Sequence, residues 1–496
     1  MSLVFLVRPC IQAKPIILAR LRRLLALGPP NVTETAVSSS THVKDLPARR
    51  SDADALAKRL LDQARVHFQG RCIGTMAAVG SHQPELNYRQ IFVRDFAVSA
   101  AAFLLDDEPT IVRNFLETTL SLQSVADTFD CLEPGRGLMP ASFRPAGEPG
   151  SVHLDPDYGE ESIARVTPVD SMFWWVIVLG WYVRATGDRG LAERADFQQG
   201  IQLTLAMALD SRMDLFPTLL APEGAFMIDR RLGVYGHPLE IQCLFALALE
   251  VSEELLAPDH PIRPAVARRR RRLAEHLRRY YWIDAKRLDE LRSNGYDQYG
   301  EDIDNAFNLS SESIPDWVDD WLPSGCGYFA GNLGPGRLDF RFFTQGNLLA
   351  VAAGVADASR RDALLNLIET RWDCLVADMP LKLVYPAVEG KHWSITTGAD
   401  SRNKPWSYHN GGSWPFLLWT YTAVALSYGR EESARKAVDL AERRLADDDW
   451  PEFYEGENGS RPGELARRKQ VWSAAGYVVA KRLIDKPDRL CIFCPR

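Results

Sequence analysis

The tightest constraint on the fold is a period. Apolar residues recur at helical spacing from Leu56, Leu60 and Leu61 through Ala64 to Phe68. Comparable stretches occupy 96–105, 111–122, 171–185, 197–209, 239–255, 266–281, 343–355, 360–376, 414–428, 431–446 and 465–483, about a dozen helices in all. Between them lie long segments rich in Gly, Pro, Asp, Trp and Tyr, at 130–150, 214–236, 294–340 and 379–413. Loops longer than about 15 residues are usually functional or disordered. These are aromatic and glycine-punctuated, which reads as ordered loops gathered at one end of a helical scaffold. An all-α chain with about twelve helices suits six helical hairpins closing into an (α/α)6 barrel. A helical solenoid is the alternative, and the chain shows no fixed-period repeat of the solenoid kind.

Three segments follow: a leader at 1–50, a catalytic domain at 51–485 and a short tail at 486–496. The first 33 residues contain no Asp or Glu, yet carry Arg8, Lys14, Arg20, Arg22 and Arg23, with Ser38, Ser39 and Ser40 following. An acid-poor, basic, Ser-containing leader has the style of an organelle transit peptide. A disordered leader or a wrong start codon are the other readings, so the expected location is the cytoplasm, with an organelle as alternative. No apolar run reaches the roughly 18 residues of a membrane helix. The net charge of −7 argues against general affinity for nucleic acid or anionic membranes. The run Arg268–Arg272 lies in a helical stretch and reads as a solvated face. Eight cysteines in 496 residues are too few for a disulfide scaffold, and Cys491 and Cys494 form a C-x-x-C with no second pair. A homo-oligomer is expected.

Several motifs are missing. The chain has no G-x-x-x-x-G-K-[ST] phosphate loop, no H-E-x-x-H zinc motif and no G-x-S-x-G nucleophile elbow. The glycines Gly331, Gly334 and Gly336 resemble a phosphate loop but lack its flanking elements. Neither a metal nor an organic cofactor is expected. What remains is carboxylates among aromatics, the composition of a sugar site: rings pack on the C–H faces of a pyranose while polar side chains bond its hydroxyls. Hydrolysis needs one protonated and one ionised carboxyl group. Asp170 follows Pro168 and precedes Trp174 and Trp175; it fits either a helix N-cap or a general acid raised in pKa by its apolar setting. Glu452 stands between Trp450 and Tyr454. Asp95, Asp229, Glu240 and Asp339 compete for these roles. The polar clusters around Arg94–Asp95, His237–Gln242 and His409–Trp414 suit binding or structural hydrogen bonding equally.

At these segments the chain resembles the alkaline/neutral invertases, glycoside hydrolase family 100. The blocks are NYRQIFVRDF, GLMPASF, IARVTPVDSMFWW, FPTLLAPEGAFMIDRRLGVYGHPLEIQ, IPDW, GNLGPGRLDFRFF, PWSYHNGGSWP and WPEFYEG, spread from about Asp52 to Leu483. The resemblance implies an (α/α)6 barrel that splits sucrose with inversion, without cofactor or metal. It assigns Asp170 as general acid and Glu452 as general base, roughly 6.5–9.5 Å apart. Within the family blocks, residue chemistry nominates Arg94, Asp95, His237, Gln242 and His409 for the sugar hydroxyls, and Trp174, Trp175 or Trp414 for the pocket floor. Two departures, in the segment Glu452–Glu455 and at 302–313, bear on fine specificity. The rivals are a hydrolase or phosphorylase of another glucoside and a silent carbohydrate-binding protein.

Overall fold

The computed structural model describes residues 50–80, 87–125, 135–148, 150–159, 168–209, 214–221, 227–228, 230–234, 236–293, 311–334 and 337–494. The leader, the competing carboxylate Asp229 and most of the atypical stretch 302–313 lie outside them. Residues 48–496 form one compact unit.

The unit is predominantly helical. The helices that build it are α1 (Arg50–Gln63), α2 (Val93–Leu105), α3 (Pro109–Ser121), α4 (Ser171–Thr186), α5 (Ala195–Ala208) and α6 (Leu239–Leu255). They continue as α7 (Arg263–Tyr280), α8 (Thr344–Ala352), α9 (Ala358–Thr370), α10 (Leu418–Ser427), α11 (Glu431–Glu442) and α12 (Val471–Asp485). The even-numbered helices pack in succession: α2 on α4, α4 on α6, α6 on α8, α8 on α10, α10 on α12, and α12 back on α2. Sequence pattern explains this inner position. Helix α4 is buried from Ser171 through Val183, and α2 from Phe96 through Leu105; a helix apolar all round belongs inside. The odd-numbered helices are two-faced. Helix α11 buries Ala434, Ala437, Val438 and Ala441, a single stripe at i, i+3, i+4, i+7, and packs it on α10 and α12. Likewise α1 packs on α12, α3 on α2 and α4, and α7 on α6.

The connecting segments hold more strand than the all-α expectation allowed. A small sheet joins β1 (Ile91–Phe92), β2 (Ser142–Ala146) and β3 (His153–Asp157), and β1 runs straight into α2. A five-stranded antiparallel sheet contains β4 (His237–Pro238), β5 (Trp282–Asp284), β6 (Gly327–Gly334), β7 (Arg337–Phe343) and β8 (Val384–Tyr385). Its centre, β6, pairs with β4, β5 and β7. The glycine-rich run thus begins in a buried strand. A Cβ on Gly331 would stand 2.5 Å from the Phe343 ring, so that glycine answers to packing. A last hairpin pairs β9 (Tyr454–Glu455) with β10 (Arg461–Pro462).

Two details refine the sequence reading. Arg269, inside the arginine run, is buried, and its guanidinium lies 4.8 Å from the Phe216 ring, while Arg268, Arg271 and Arg272 face solvent. The C-terminal tail is part of the core. Its 3-10 helix Pro487–Ile492 delivers Phe493 edge-on to Trp181 at 5.1 Å and Trp419 at 6.2 Å. Phe493→Ala is therefore expected to cost about 3 kcal/mol, read as a lowered denaturation midpoint; an unchanged midpoint would show that the tail contributes nothing to the core.

Candidate active site

The candidate residues start from the N-terminal ends of inner helices. Arg94 and Asp95 occupy the first turn of α2, Glu240 the first turn of α6, and Asp170 the position just before α4. The turn into α4 is fixed by Ser171, whose Oγ donates to the carbonyls of Met139 at 2.9 Å and Pro168 at 3.1 Å. The Asp170 carbonyl accepts the first helical bonds, from the N–H groups of Phe173 and Trp174. Its carboxylate does not cap the helix. Instead Oδ2 accepts from Arg94 Nη1 at 2.5 Å, across the α2–α4 seam. Asp170 thus holds the N-cap position with its side chain committed elsewhere.

Glu452 comes from a loop. Its N–H donates to the Arg467 carbonyl at 2.8 Å. Its Oε1 accepts from the Tyr88 hydroxyl at 2.9 Å, and its Oε2 lies 3.5 Å from the Arg467 N–H and 3.9 Å from Arg402 Nη2. Just beyond it, Tyr454 and Ser413 exchange backbone hydrogen bonds at 2.8 and 2.9 Å, lashing the loop to the 406–414 segment. That segment brings His409, which stacks on Tyr408 with ring centroids 3.8 Å apart. The Arg402 guanidinium covers the Tyr408 ring at 4.4 Å.

Burial governs the charges. Asp170, Glu240 and Glu452 are buried and Asp95 partly so, and desolvation raises the pKa of each. Asp170 is raised despite the Arg94 guanidinium, so desolvation wins over both the ion pair and the helix N-terminus. Glu452 is raised by burial, with Arg402, the Tyr88 hydroxyl and the Arg467 N–H pulling the other way. Asp95 is pushed up to about 7 by burial, and it feels the charges of Asp170 and Glu452 as well as that of Arg94. Glu240 is pushed up to about 8 by burial and by Asp170. Its Oε1 accepts from the Met227 N–H at 3.3 Å, while Oε2 has no partner among the described residues. His409 is held well below its ordinary pKa by burial and by Arg402 and Arg94, so it is neutral. The cluster keeps protons at neutral pH and holds neutral donors beside them, as acid–base chemistry on a neutral substrate requires.

Of the residues nominated from sequence, Arg94, Asp95, Asp170, Glu240, Glu452 and His409 belong to this connected electrostatic group. The others stand behind it. Trp174, expected as a pocket floor, packs edge-on in the core against Trp181 at 6.2 Å and Trp419 at 6.4 Å. Trp175 faces Phe197 and donates to the Leu116 carbonyl. Trp414 is buried, donates from Nε1 to the Tyr408 carbonyl at 3.0 Å and lies 5.2 Å from His409, so it props the aromatic pair. Gln242 clamps Leu219 with two hydrogen bonds at 2.9 and 2.8 Å. His237 is half-buried, bonds the Leu219 backbone, and is lowered in pKa by burial. Asp339 pairs with Arg341, away from the group. Sequence reasoning passed over Tyr88 and Arg402. Tyr88 sits in the same block as Arg94, whereas Arg402 carries no local signal.

Solved structures of similar fold include carbohydrate-active enzymes. A GH63 mannosylglycerate hydrolase from Thermus thermophilus, in complex with Tris and D-glycerate, superposes with a TM-score of 0.53 at 13% identity, covering 86% of this chain and 99% of that one. A bacterial glucoamylase complexed with acarbose gives 0.51 at 12% identity, over 88% of this chain and 57% of the other. At such identities the likeness concerns the fold, a helical barrel. The sequence relatives that follow define the class: the chain is a glycoside hydrolase. The alkaline and neutral invertase profile matches residues 57–487. Alkaline/neutral invertase C, mitochondrial, of Arabidopsis thaliana is 47% identical over 451 residues, 89% of this chain and 68% of its own length. Neutral/alkaline invertase 3, chloroplastic, of Oryza sativa subsp. japonica is 45% identical, over 93% of this chain and 79% of that one. Cytosolic invertase 1 of the same rice is 45% identical, over 93% and 83%. The chain belongs to the alkaline and neutral invertase family.

The charges carry two predictions. Tyr88→Phe removes a donor that favours ionised Glu452, so the Glu452 pKa rises further. The acid limb of the kcat/KM profile should move to higher pH, with a loss of roughly tenfold in activity from one charge-assisted bond; an unmoved limb would separate Tyr88 from the base. Glu240 binds its proton more tightly folded than unfolded. That contribution is complete at low pH and is lost as pH rises from the ordinary carboxylate range through about 8. The melting midpoint of the native protein should therefore fall more between about pH 5 and pH 9 than that of Glu240→Gln. Parallel curves would place the Glu240 proton elsewhere.

Proposed function

We propose that the chain hydrolyses sucrose to glucose and fructose with inversion at the glucosyl carbon. The proposal includes the finer architecture, an (α/α)6 barrel in which the even-numbered helices line the interior and the odd-numbered ones surround it. The observation that carries the reading is the pair Asp170 and Glu452: two buried carboxyl groups held by separate guanidiniums on separate elements, with Asp95 interacting with both.

The chemistry divides between them. Asp170, raised in pKa by burial, donates its proton to the bridging oxygen, and the bond from the glucosyl carbon to that oxygen breaks. Glu452 accepts hydrogen bonds that favour its ionised form, takes a proton from water, and the new carbon–oxygen bond forms on the opposite face. Positive charge builds on the ring in the transition state, and the Asp95 carboxylate, when ionised, opposes it electrostatically. Neutral His409 and the partly exposed Arg94 are assigned to the sugar hydroxyls. Sucrose carries no charge, which fits a site whose acidic and basic groups largely cancel. Both cytoplasmic and organellar locations fit the names of the family relatives.

Asp170→Asn and Glu452→Gln are each expected to lower kcat by about 10²–10⁴-fold while leaving the melting midpoint in place; near-normal turnover in either would remove that residue from its role. Time-resolved proton NMR with sucrose should show β-glucose before mutarotation. Initial α-glucose would overturn inversion, and no release of fructose would overturn the substrate.

A further inference from the structure

A cavity of about 620 Å³ opens beside the β6–β7 hairpin, and none of Asp95, Asp170, Glu240 or Glu452 lines it. Its size falls within the roughly 300–1,000 Å³ of small-molecule sites. Trp317 and Phe340 supply apolar surface, and Asn332, Asp339, Arg341 and Glu389 supply polar groups. We infer that this cavity is a second carbohydrate site, taking a neutral hexose outside the catalytic group.

Three observations carry the inference. The first is an aromatic face. Trp317 lines the cavity half-buried, its indole set edge-on to Trp321 at 5.7 Å and Tyr385 at 6.4 Å, and an indole ring packs on the C–H face of a pyranose. The second is charge. Arg337 and Arg341 are matched in number by Asp339 and Glu389 on the lining, which suits a neutral polyhydroxylated ligand better than a phosphate. The third is rigidity. The wall at 386–389 is pinned from behind: Asn410 exchanges hydrogen bonds with the Val388 backbone at 2.7 and 2.9 Å, and Glu389 accepts from Trp406 Nε1 at 2.7 Å. Asp339 and Arg341 sit on a paired strand, β7. A site held in place before its ligand arrives loses less entropy on binding.

The test reads the wall itself. In the full chain with labelled Leu and Val methyl groups, titration with D-fructose or D-glucose should shift the resonances of Leu232, Leu338 and Val388 saturably. His392→Trp, an exposed residue on the lining, fills the mouth. It should weaken that shift by tenfold or more in concentration while leaving kcat/KM at low sucrose unchanged. If the methyls of Val169, next to Asp170, move while the cavity methyls stay still, the hexose binds only in the catalytic group and the inference falls. It falls also if inorganic phosphate, and neither hexose, moves the cavity methyls, or if His392→Trp leaves the titration unchanged. The readout requires no turnover, so failure of the sucrose assignment and failure of the second site are separate results.

Discussion

Four carboxyl groups and three guanidiniums share a space from which water is largely removed, and the rest of the molecule serves that arrangement. Asp95, Asp170, Glu240 and Glu452 cannot all ionise against Arg94, Arg402 and Arg467. In low dielectric each added negative charge raises the cost of the next, so the group retains protons at neutral pH. Acid–base hydrolysis near neutrality needs that reserve. A solvated carboxylate would be fully ionised there and could not protonate a leaving oxygen.

The barrel explains how such a cluster is tolerated. Helices α2, α4 and α6 each place a carboxylate at or beside their first turn, where free N–H groups and the positive end of the helix favour negative charge. That term opposes desolvation without overcoming it, as the raised Asp170 shows. The Asp170 wall is thus built from rigid helix ends. The Glu452 wall is assembled differently. Glu452, Tyr88, Arg402, Arg467 and His409 come from segments far apart in sequence, joined by the backbone pairing of Tyr454 with Ser413 and by stacking on Tyr408. Groups on helix ends keep their positions as long as the core packs, whereas loop-borne groups depend on local bonds that single substitutions can remove.

Much of this was legible in the residues. Helical period gave the helices, and their uniform apolarity marked α2 and α4 as interior. Asp170 stood out by its place after Pro168 and before an apolar run, yet cap and acid could not be told apart, because the choice depends on Arg94, 76 positions away. Glu452 was conspicuous among aromatics. Arg402 was not, since its partner is brought near only by the folded loops. The strands of the five-stranded sheet were hidden too. They lie in glycine- and aromatic-rich segments with no clean alternation, because β6 is buried on nearly all of its length.

The tryptophans of α4 show where composition misleads. A run of Trp beside a candidate acid resembles a sugar platform, but the direction of the helix decides otherwise. Residues rise 1.5 Å each along a helix, so Trp174 lies about 6 Å and Trp181 about 16 Å below Asp170 along the axis. The helix starts at the site and runs inward, carrying both rings into the core, where they meet Trp419 and Phe493. Their work is to fill the barrel and so hold the helix end that carries Asp170. Tyr408 stands on a loop beyond the helix ends, yet its ring too is already engaged, covered by the Arg402 guanidinium and stacked on His409, so here as well the aromatic residue braces its neighbours rather than offering a bare platform.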